Sequence, residues 1–436
     1  MSNFIINGGH KLRGTIKTNS AKNSAVAILC ATPMIKGKTI LSAVPRIEEV
    51  NRIIEILTSI GLKVTWLPDN KLKIINSGRL ALETINRESY KKTRSVILLI
   101  GALASVFKKF SLPKIGGCEL GGRTINPHII ALGHLGIEVK KVNQRFYVNR
   151  GKAKGAKFTM YESGDTASEN AILAAVLLPG VTEINLCSSN YMVQDLCYFL
   201  VQAGAKIKGI GTTKLQIIGV KKLQPINYPI MPDPIEAMAF ISIAVTTGSK
   251  LKITHCPIEF LSLELEKLRL MGQTMKISQP YKSANGRFSL VDIEIVPAKL
   301  NALPDKIYGR PFPGLNIDNL PLFVPILTQT NGQTLVHDWV YENRAIYYTE
   351  LNKLGANVML HDPHRVTVTG PTKLRPAEII CPPALRPAIN LLICMLAAKG
   401  KSILYNSYSI DRGYENICGR LNKLGADIKR INQNNL

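Results

Sequence analysis

Six stretches of this 436-residue chain are apolar all the way round a helix: AVAILCATPMI, SVILLIGALASVF, AILAAVLLPG, AMAFISIAVTTG, LPLFVPILTQTNG and AINLLICMLAAKG. A helix without a polar face belongs in an interior. Five of them are followed by a short run that reads as a strand: KTILSAV, VTEINLC, SKLKITH, QTLVHDW and KSILYNS. After the second stretch a glycine-rich loop takes that place, and no strand is expected there. Further along each copy comes a leucine, two residues, an apolar residue and a glycine: LTSIGLKV, LGHLGIEV, LVQAGAKI, LRLMGQTM, LNKLGANV and LNKLGADI. The glycines stand at 61, 136, 204, 272, 355 and 425. Each is expected to end a helix in the left-handed conformation and release the chain into a strand. Two strands then close the copy, as in ANVML and RVTVTG. The pattern predicts an α/β protein of six units, each about 70 residues and β-α-β-α-β-β in cyclic order.

The sixth unit stops early, after GADIKRI, while the N-terminal FIINGGHKLRGTI resembles VTVTGPTKLRPAEI of the fifth. The N-terminus is therefore expected to supply the missing strand. Six units then make two halves of three, residues 22–233 and residues 234–436 with 1–21. The stretches YPIMPDP (228–234) and TNSAK (18–22) fit the two crossings. A cleft between the halves is the expected place for a ligand.

Composition narrows the partners. The net charge is +25, from 55 Lys and Arg against 30 Asp and Glu, which admits nucleic acid, a membrane surface or an acidic small substrate. The lysines are spread along the chain and aromatics are 6% of residues, so no stacking platform for bases is evident. The start MSNFIINGGHKLRG has no signal-peptide core, and no run reaches the roughly 18 apolar residues of a spanning helix. A cytoplasmic protein is expected. Eight scattered cysteines without a CxxC pair, and seven histidines without ligand spacing, imply neither a disulfide framework nor a metal. One cysteine stands apart. PKIGGCELGGR (113–123) sets Cys118 between two glycine pairs with Arg123 close by, and a thiol beside an arginine in an open loop can act as nucleophile or proton donor.

With these motifs the chain resembles the enolpyruvyl transferases, and among them the UDP-N-acetylglucosamine 1-carboxyvinyltransferases, along essentially its full length. The resemblance rests on SAKN (20–23), KKTRS (91–95), GGCELGGR (116–123), PGLNID (313–318), YENR (341–344), LRP (385–387) and IDRGYE (410–415), in that order. It implies two inside-out α/β barrel domains of three units each. It implies transfer of the enolpyruvyl group of phosphoenolpyruvate to the 3-hydroxyl of UDP-N-acetylglucosamine with release of phosphate, the first committed step of peptidoglycan synthesis, with no cofactor and no metal. Cys118 and Asp318 are the implied catalytic residues, acid and base respectively, and Cys118 the implied target of the epoxide fosfomycin. Lys22, Arg123, Arg344, Arg386 and Arg412 are implied for phosphoenolpyruvate, whose carboxylate and phosphate suit cationic forks. Asn23, Arg94, Arg123, Thr124, Asn126, His128, Ser163, Gly164 and Asp318 are implied for the UDP-sugar.

The chain departs from the family in places. Ala384 stands where an aspartate is usual, Leu315–Asn316–Ile317 where Phe-Pro-Thr is usual, and Pro234 where an arginine is common. Thr124 and Asn126 replace proline and aspartate, and ESGDTASEN (162–170) is also altered. Two other readings stand beside the first. One is an enolpyruvyl transferase for another acceptor, such as a different sugar nucleotide or shikimate 3-phosphate. The other is a non-catalytic or nucleic-acid-binding relative. Nothing in the sequence fixes the oligomeric state.

Overall fold

The computed structural model describes residues 2–116 and 124–432. The described residues form two compact units, one holding those between Ser20 and Met231, the other joining those up to Asn19 with those from Pro232 onward. Three central helices lie in the first, α1 (Lys22–Ala31), α2 (Leu98–Ala104) and α3 (Asp165–Ala175), and three in the second, α4 (Pro234–Thr246), α5 (Leu320–Leu327) and α6 (Leu385–Ala397).

These are the six apolar stretches, and they are buried nearly all round. In α4 every residue but Val245 is buried. Fully burying each aliphatic side chain contributes roughly 1.5–3 kcal/mol. Asp233 starts that helix, its Oδ1 accepting from the N–H groups of Ile235 at 2.8 Å and Glu236 at 3.4 Å, with Pro234 in the first turn. Such helices still need their backbone groups satisfied, and isolated polar residues do this between neighbours. Pro325 inside α5 cannot donate to the carbonyl of Pro321, and Asn390 Nδ2 of α6 donates to it instead at 2.9 Å. Ser242 of α4 donates to Leu322 O at 2.7 Å. In the other unit Asn170 of α3 plays the same part toward α2. Its Oδ1 accepts from Gly101 N at 2.8 Å and its Nδ2 donates to Ile97 O at 3.0 Å.

Among the described residues, six small sheets accompany these helices. In five of them, the strand after a central helix pairs antiparallel with one arm of a hairpin, as Gly37–Ser42 pairs with Lys71–Asn76 and that with Lys63–Leu67. Five sheets carry a fourth, parallel strand. For the first sheet it is Asn227–Pro229, from the end of the third repeat, and for the fourth it is Arg13–Lys17. The last sheet is completed by the N-terminus: Ser2–Gly8 lies antiparallel between Gly400–Tyr405 and Asp427–Asn432. All six motif glycines, 61, 136, 204, 272, 355 and 425, have φ between 81° and 106°. At Gly204 and Gly425 a Cβ would meet nothing, so the backbone angle alone asks for glycine.

Two local expectations fail. The second unit does have its strand: Lys109–Pro113 pairs with Arg145–Asn149 immediately before the glycine-rich loop. The run KFSLP, with a lysine at one end and a proline at the other, hides it. What this sheet lacks, among the described residues, is the parallel fourth strand. The helix ending at Gly355 is not α but an extended 3-10 helix, Ala345–Leu354. Its run Ile346, Tyr347, Tyr348, Thr349 crowds the α-helical turn.

Candidate functional site

Each unit gathers a set of polar side chains around the starts of its central helices. In the Ser20–Met231 unit, Lys22 opens α1 and its Nζ lies 2.8 Å from Glu49 Oε2. Glu49 is itself buried, and its other oxygen accepts from Thr93 Oγ1 at 3.0 Å and Ser95 Oγ at 2.7 Å. The lysine is thus held by a carboxylate that the neighbouring segment fixes. Asn23 donates to Tyr191 OH at 3.1 Å. Arg94 donates to Thr124 O at 3.2 Å, and Thr124 Oγ1 accepts from the N–H of Asn126, the first residue of the helix Asn126–His134.

His128 lies buried on that helix, with Asn170 Nδ2 2.9 Å from its Nδ1 and Thr166 Oγ1 3.3 Å from its Nε2. The two backbone contacts of Asn170 fix which way its amide points, so Nδ1 of the imidazole accepts and Nε2 carries the proton. Burial, and then the nearby Arg94, pull this histidine down to about 3. Since the folded value lies below the unfolded 6.5, the unfolded chain takes up a proton the folded one refuses as pH falls from about 6.5 toward 3, and stability falls with it. His128→Gln should keep an acceptor for Asn170 and flatten the decline of the melting midpoint between pH 6 and pH 4. An unchanged slope would show that other groups control acid unfolding.

Ser163 and Gly164 lie half-buried at the entry to α3, Gly164 in the N-cap position. The next residue, Asp165, accepts from Ser188 Oγ at 2.6 Å and Asn190 Nδ2 at 3.1 Å. Cys118 and Arg123 lie outside the described residues. At the loop's near end Gly116 is set by contact: a Cβ there would run into the carbonyl oxygen of Lys91.

In the other unit the centre is Asp318, in the turn before α5. Its N–H donates to Asn316 Oδ1 at 2.9 Å. The buried Glu264 fixes this turn, its Oε1 accepting from Asn319 Nδ2 at 2.8 Å and Asn316 N at 3.3 Å. Burial pushes the Glu264 carboxyl up, and these hydrogen bonds partly offset that. Asp318 Oδ1 lies 3.5 Å from Arg344 Nη1, and Oδ2 lies 3.3 Å from Arg386 Nη2. The carboxylate is therefore faced by a guanidinium on each oxygen while its side chain stays 22% exposed. Arg386, in the first turn of α6, also points Nη1 at Tyr414 OH at 3.4 Å. Arg344 is buried and bound edge-on by Asp338, which also accepts from Tyr348 OH at 2.5 Å. Arg412 stands half-buried at the end of the short helix Tyr408–Asp411, two residues before Tyr414.

The sequence reading missed Glu49, Asp338 and Tyr348. A signal was present for the two acids. Thr334, Val336 and Asp338 share the buried parity of one strand and its end, and Glu49 sits on the buried stripe of the helix Glu48–Ser59 with Ile53 and Ile56. An acid at a core position calls for a fixed partner.

Ala384 holds the N-cap position of α6, buried, with φ −107° and ψ 132° and no side-chain cap. An aspartate fits that backbone. Ala384→Asp should add about 1 kcal/mol through the cap and place a second carboxylate near Arg386. On the reaction that the sequence resemblance implies, it should raise kcat for phosphate release with KM for phosphoenolpyruvate unchanged. A lower kcat would show a pocket rebuilt around alanine.

By structure the chain is similar to the enolpyruvyl transferase NikO from Streptomyces tendae (TM-score 0.84, 20% identity, 99% of both chains). It is also similar to an EPSP synthase from Acinetobacter baumannii (TM-score 0.75, 17% identity, covering 99% of this chain and 100% of that one). The family model for EPSP synthase (3-phosphoshikimate 1-carboxyvinyltransferase) matches residues 6–421, and the chain belongs to that family. Relatives named UDP-N-acetylglucosamine 1-carboxyvinyltransferase include one from Bradyrhizobium diazoefficiens, 33% identical over 98% of both chains. Another, from Bacteroides fragilis, is 32% identical over 99% of this chain and 100% of its own. Among the described residues, no helix is long and apolar enough to cross a membrane, and no group of three or more His, Cys, Asp or Glu side chains could hold a metal ion.

Proposed function

We propose that the protein transfers the enolpyruvyl group of phosphoenolpyruvate to the 3-hydroxyl of UDP-N-acetylglucosamine and releases phosphate, a cytoplasmic step that leads to peptidoglycan. The observation that carries this reading is Asp318, a partly exposed carboxylate with an arginine at each oxygen. Asp318 takes the proton of the attacking hydroxyl, and Cys118 gives a proton to C3 of phosphoenolpyruvate. As phosphate leaves, C3 returns that proton. Arg344, Arg386, Arg412, Lys22 and Arg123 bind the phosphoenolpyruvate anion. Asn23, Arg94, Thr124, Asn126, His128, Ser163 and Gly164 serve the sugar nucleotide. His128, kept neutral, does so as a hydrogen-bonding group and not as a cation. Full-length relatives with that name at 32–33% identity support the choice of acceptor.

The test is phosphate release with both substrates, with each omitted in turn, and with shikimate 3-phosphate in place of the sugar nucleotide. Release only with shikimate 3-phosphate would transfer the reading to that acceptor, and no release under any condition would end it. The thiols give a second check. Cys30, Cys187, Cys197, Cys256, Cys381, Cys394 and Cys418 are all buried, and burial pushes each of them up. Fosfomycin treatment followed by peptide mass mapping should therefore place one adduct, on Cys118. Adducts spread over the other seven would refute its special reactivity.

A further inference from the structure

Asp338 follows the strand Gly332–His337, and both its backbone groups are fixed by the turn that carries His364. Its N–H donates to His364 O at 2.7 Å, and its carbonyl lies 3.1 Å from His364 Nδ1. A carboxylate on so fixed a backbone can set the direction of whatever it binds. Oδ2 accepts from Arg344 Nε at 2.6 Å and Oδ1 from Arg344 Nη2 at 2.8 Å, a two-point grip on one edge of the guanidinium plane. Nη2 gives its other hydrogen to Ile317 O at 2.6 Å, and Tyr341 lies under the plane with the guanidinium carbon 4.3 Å from its ring centre. Of the guanidinium nitrogens, Nη1 is the one turned toward Asp318. Tyr348, four residues beyond Arg344, holds Oδ2 of the same carboxylate. Arg344, Asp338 and Tyr348 are all 1% exposed, whereas Asp318 is open enough to meet a substrate.

We propose that Asp338 is a positioning residue for the reaction, aiming Nη1 of Arg344 at the Asp318 centre while keeping the rest of that arginine from closing on Asp318. The proposal rests on the function argued above. Among the described residues Arg344 lies between Asp338 and Asp318, and Arg386 between Asp318 and the charge of Asp233. Without the charge of Asp338, the carboxylate paired with Arg344 among the described residues is Asp318. Arg344 then swings into a two-point pair with it. A carboxylate so engaged has its lone pairs occupied and is a poor proton acceptor, while Lys22, Arg123, Arg386 and Arg412 still serve the anion. The loss therefore falls mainly on kcat, with a smaller rise in KM for phosphoenolpyruvate from the withdrawal of Arg344.

The test has a structural and a kinetic arm, both on the full chain. A crystal structure of Asp338→Asn should show Arg344 rotated, with Nη1 and a second nitrogen within hydrogen-bond distance of Asp318. An Arg344 that stays where it is overturns the positioning role, whatever the activity. Kinetically, kcat for phosphate release should fall by about 10- to 100-fold, within the range for displaced catalytic geometry, and Asp338→Glu should recover part of it. In an Arg344→Lys background the same Asp338→Asn change should cost less than about twofold, because the residue it acts through is gone. Equal losses in both backgrounds overturn the proposal. Should Asp338→Asn fail to fold, Tyr348→Phe loosens the same carboxylate and should lower kcat by about 2- to 5-fold only while Arg344 is present. A wild-type chain that releases no phosphate sinks the proposed function alone, since the rotation of Arg344 is read from the crystal.

Discussion

Asp318→Asn will lower phosphate release by about 10²- to 10⁴-fold, the usual contribution of a positioned acid or base, with no loss of fold. Asparagine keeps the shape of the side chain and an oxygen for one arginine, but it cannot take a proton. Arg344 keeps Asp338 as its main partner, so the buried cation is not stranded. Arg386 loses its carboxylate at Oδ2 and keeps the tyrosine hydroxyl of Tyr414. Binding of phosphoenolpyruvate should survive or tighten, because a competing negative charge has gone. Initial rates across phosphoenolpyruvate concentrations, with melting midpoints alongside, decide the matter. A variant that turns over at the wild-type rate would remove Asp318 from the proton path.

The second large effect is on stability. Arg344→Met should destabilise the protein by about 3–5 kcal/mol, since it leaves the Asp338 carboxylate buried without its counter-charge. Arg344→Met with Asp338→Leu should recover most of that loss, because an apolar pair of similar bulk no longer has to desolvate two ions. Neither variant should release phosphate at a useful rate. Denaturant midpoints and rates measured on the same preparations separate the two outcomes. If the double variant is as unstable as the single, the pair supports the fold by more than compensating its own burial.

The repeat was legible because its signals are local. An all-apolar helix and a glycine at a left-handed position each show within a dozen residues, and all six glycines have the expected φ. The 3-10 helix before Gly355 and the strand Lys109–Pro113 were hidden for the opposite reason. Crowding among Ile346, Tyr347 and Tyr348 decides the first, and pairing with Arg145–Asn149 decides the second. At the site, Asp318, Arg344 and Arg386 could be picked out as residue types in motifs. Their arrangement could not, for Arg386 meets Asp318 across 68 residues and Asn390 reaches Pro321 across 69. Arg344 shows the difference best. In the sequence it is one more cation among 55, and in the fold it is a buried group whose direction is set by Asp338.

The place of Ser2–Gly8 carries a consequence for how the chain is made. This strand leaves the ribosome about 400 residues ahead of its partners Gly400–Tyr405 and Asp427–Asn432. At about 5–20 residues per second it waits roughly 20–80 s for them, and closing so long a loop costs on the order of 5 kcal/mol in chain entropy. The Ser20–Met231 unit carries no such debt, since the strand that completes its first sheet, Asn227–Pro229, is already out when the second half begins. Synthesis therefore lets the Ser20–Met231 unit fold before the other and holds an apolar strand in reserve. The residues Phe4 and Ile6, fully buried once the sheet forms, are the ones a nascent-chain chaperone has the longest opportunity to hold.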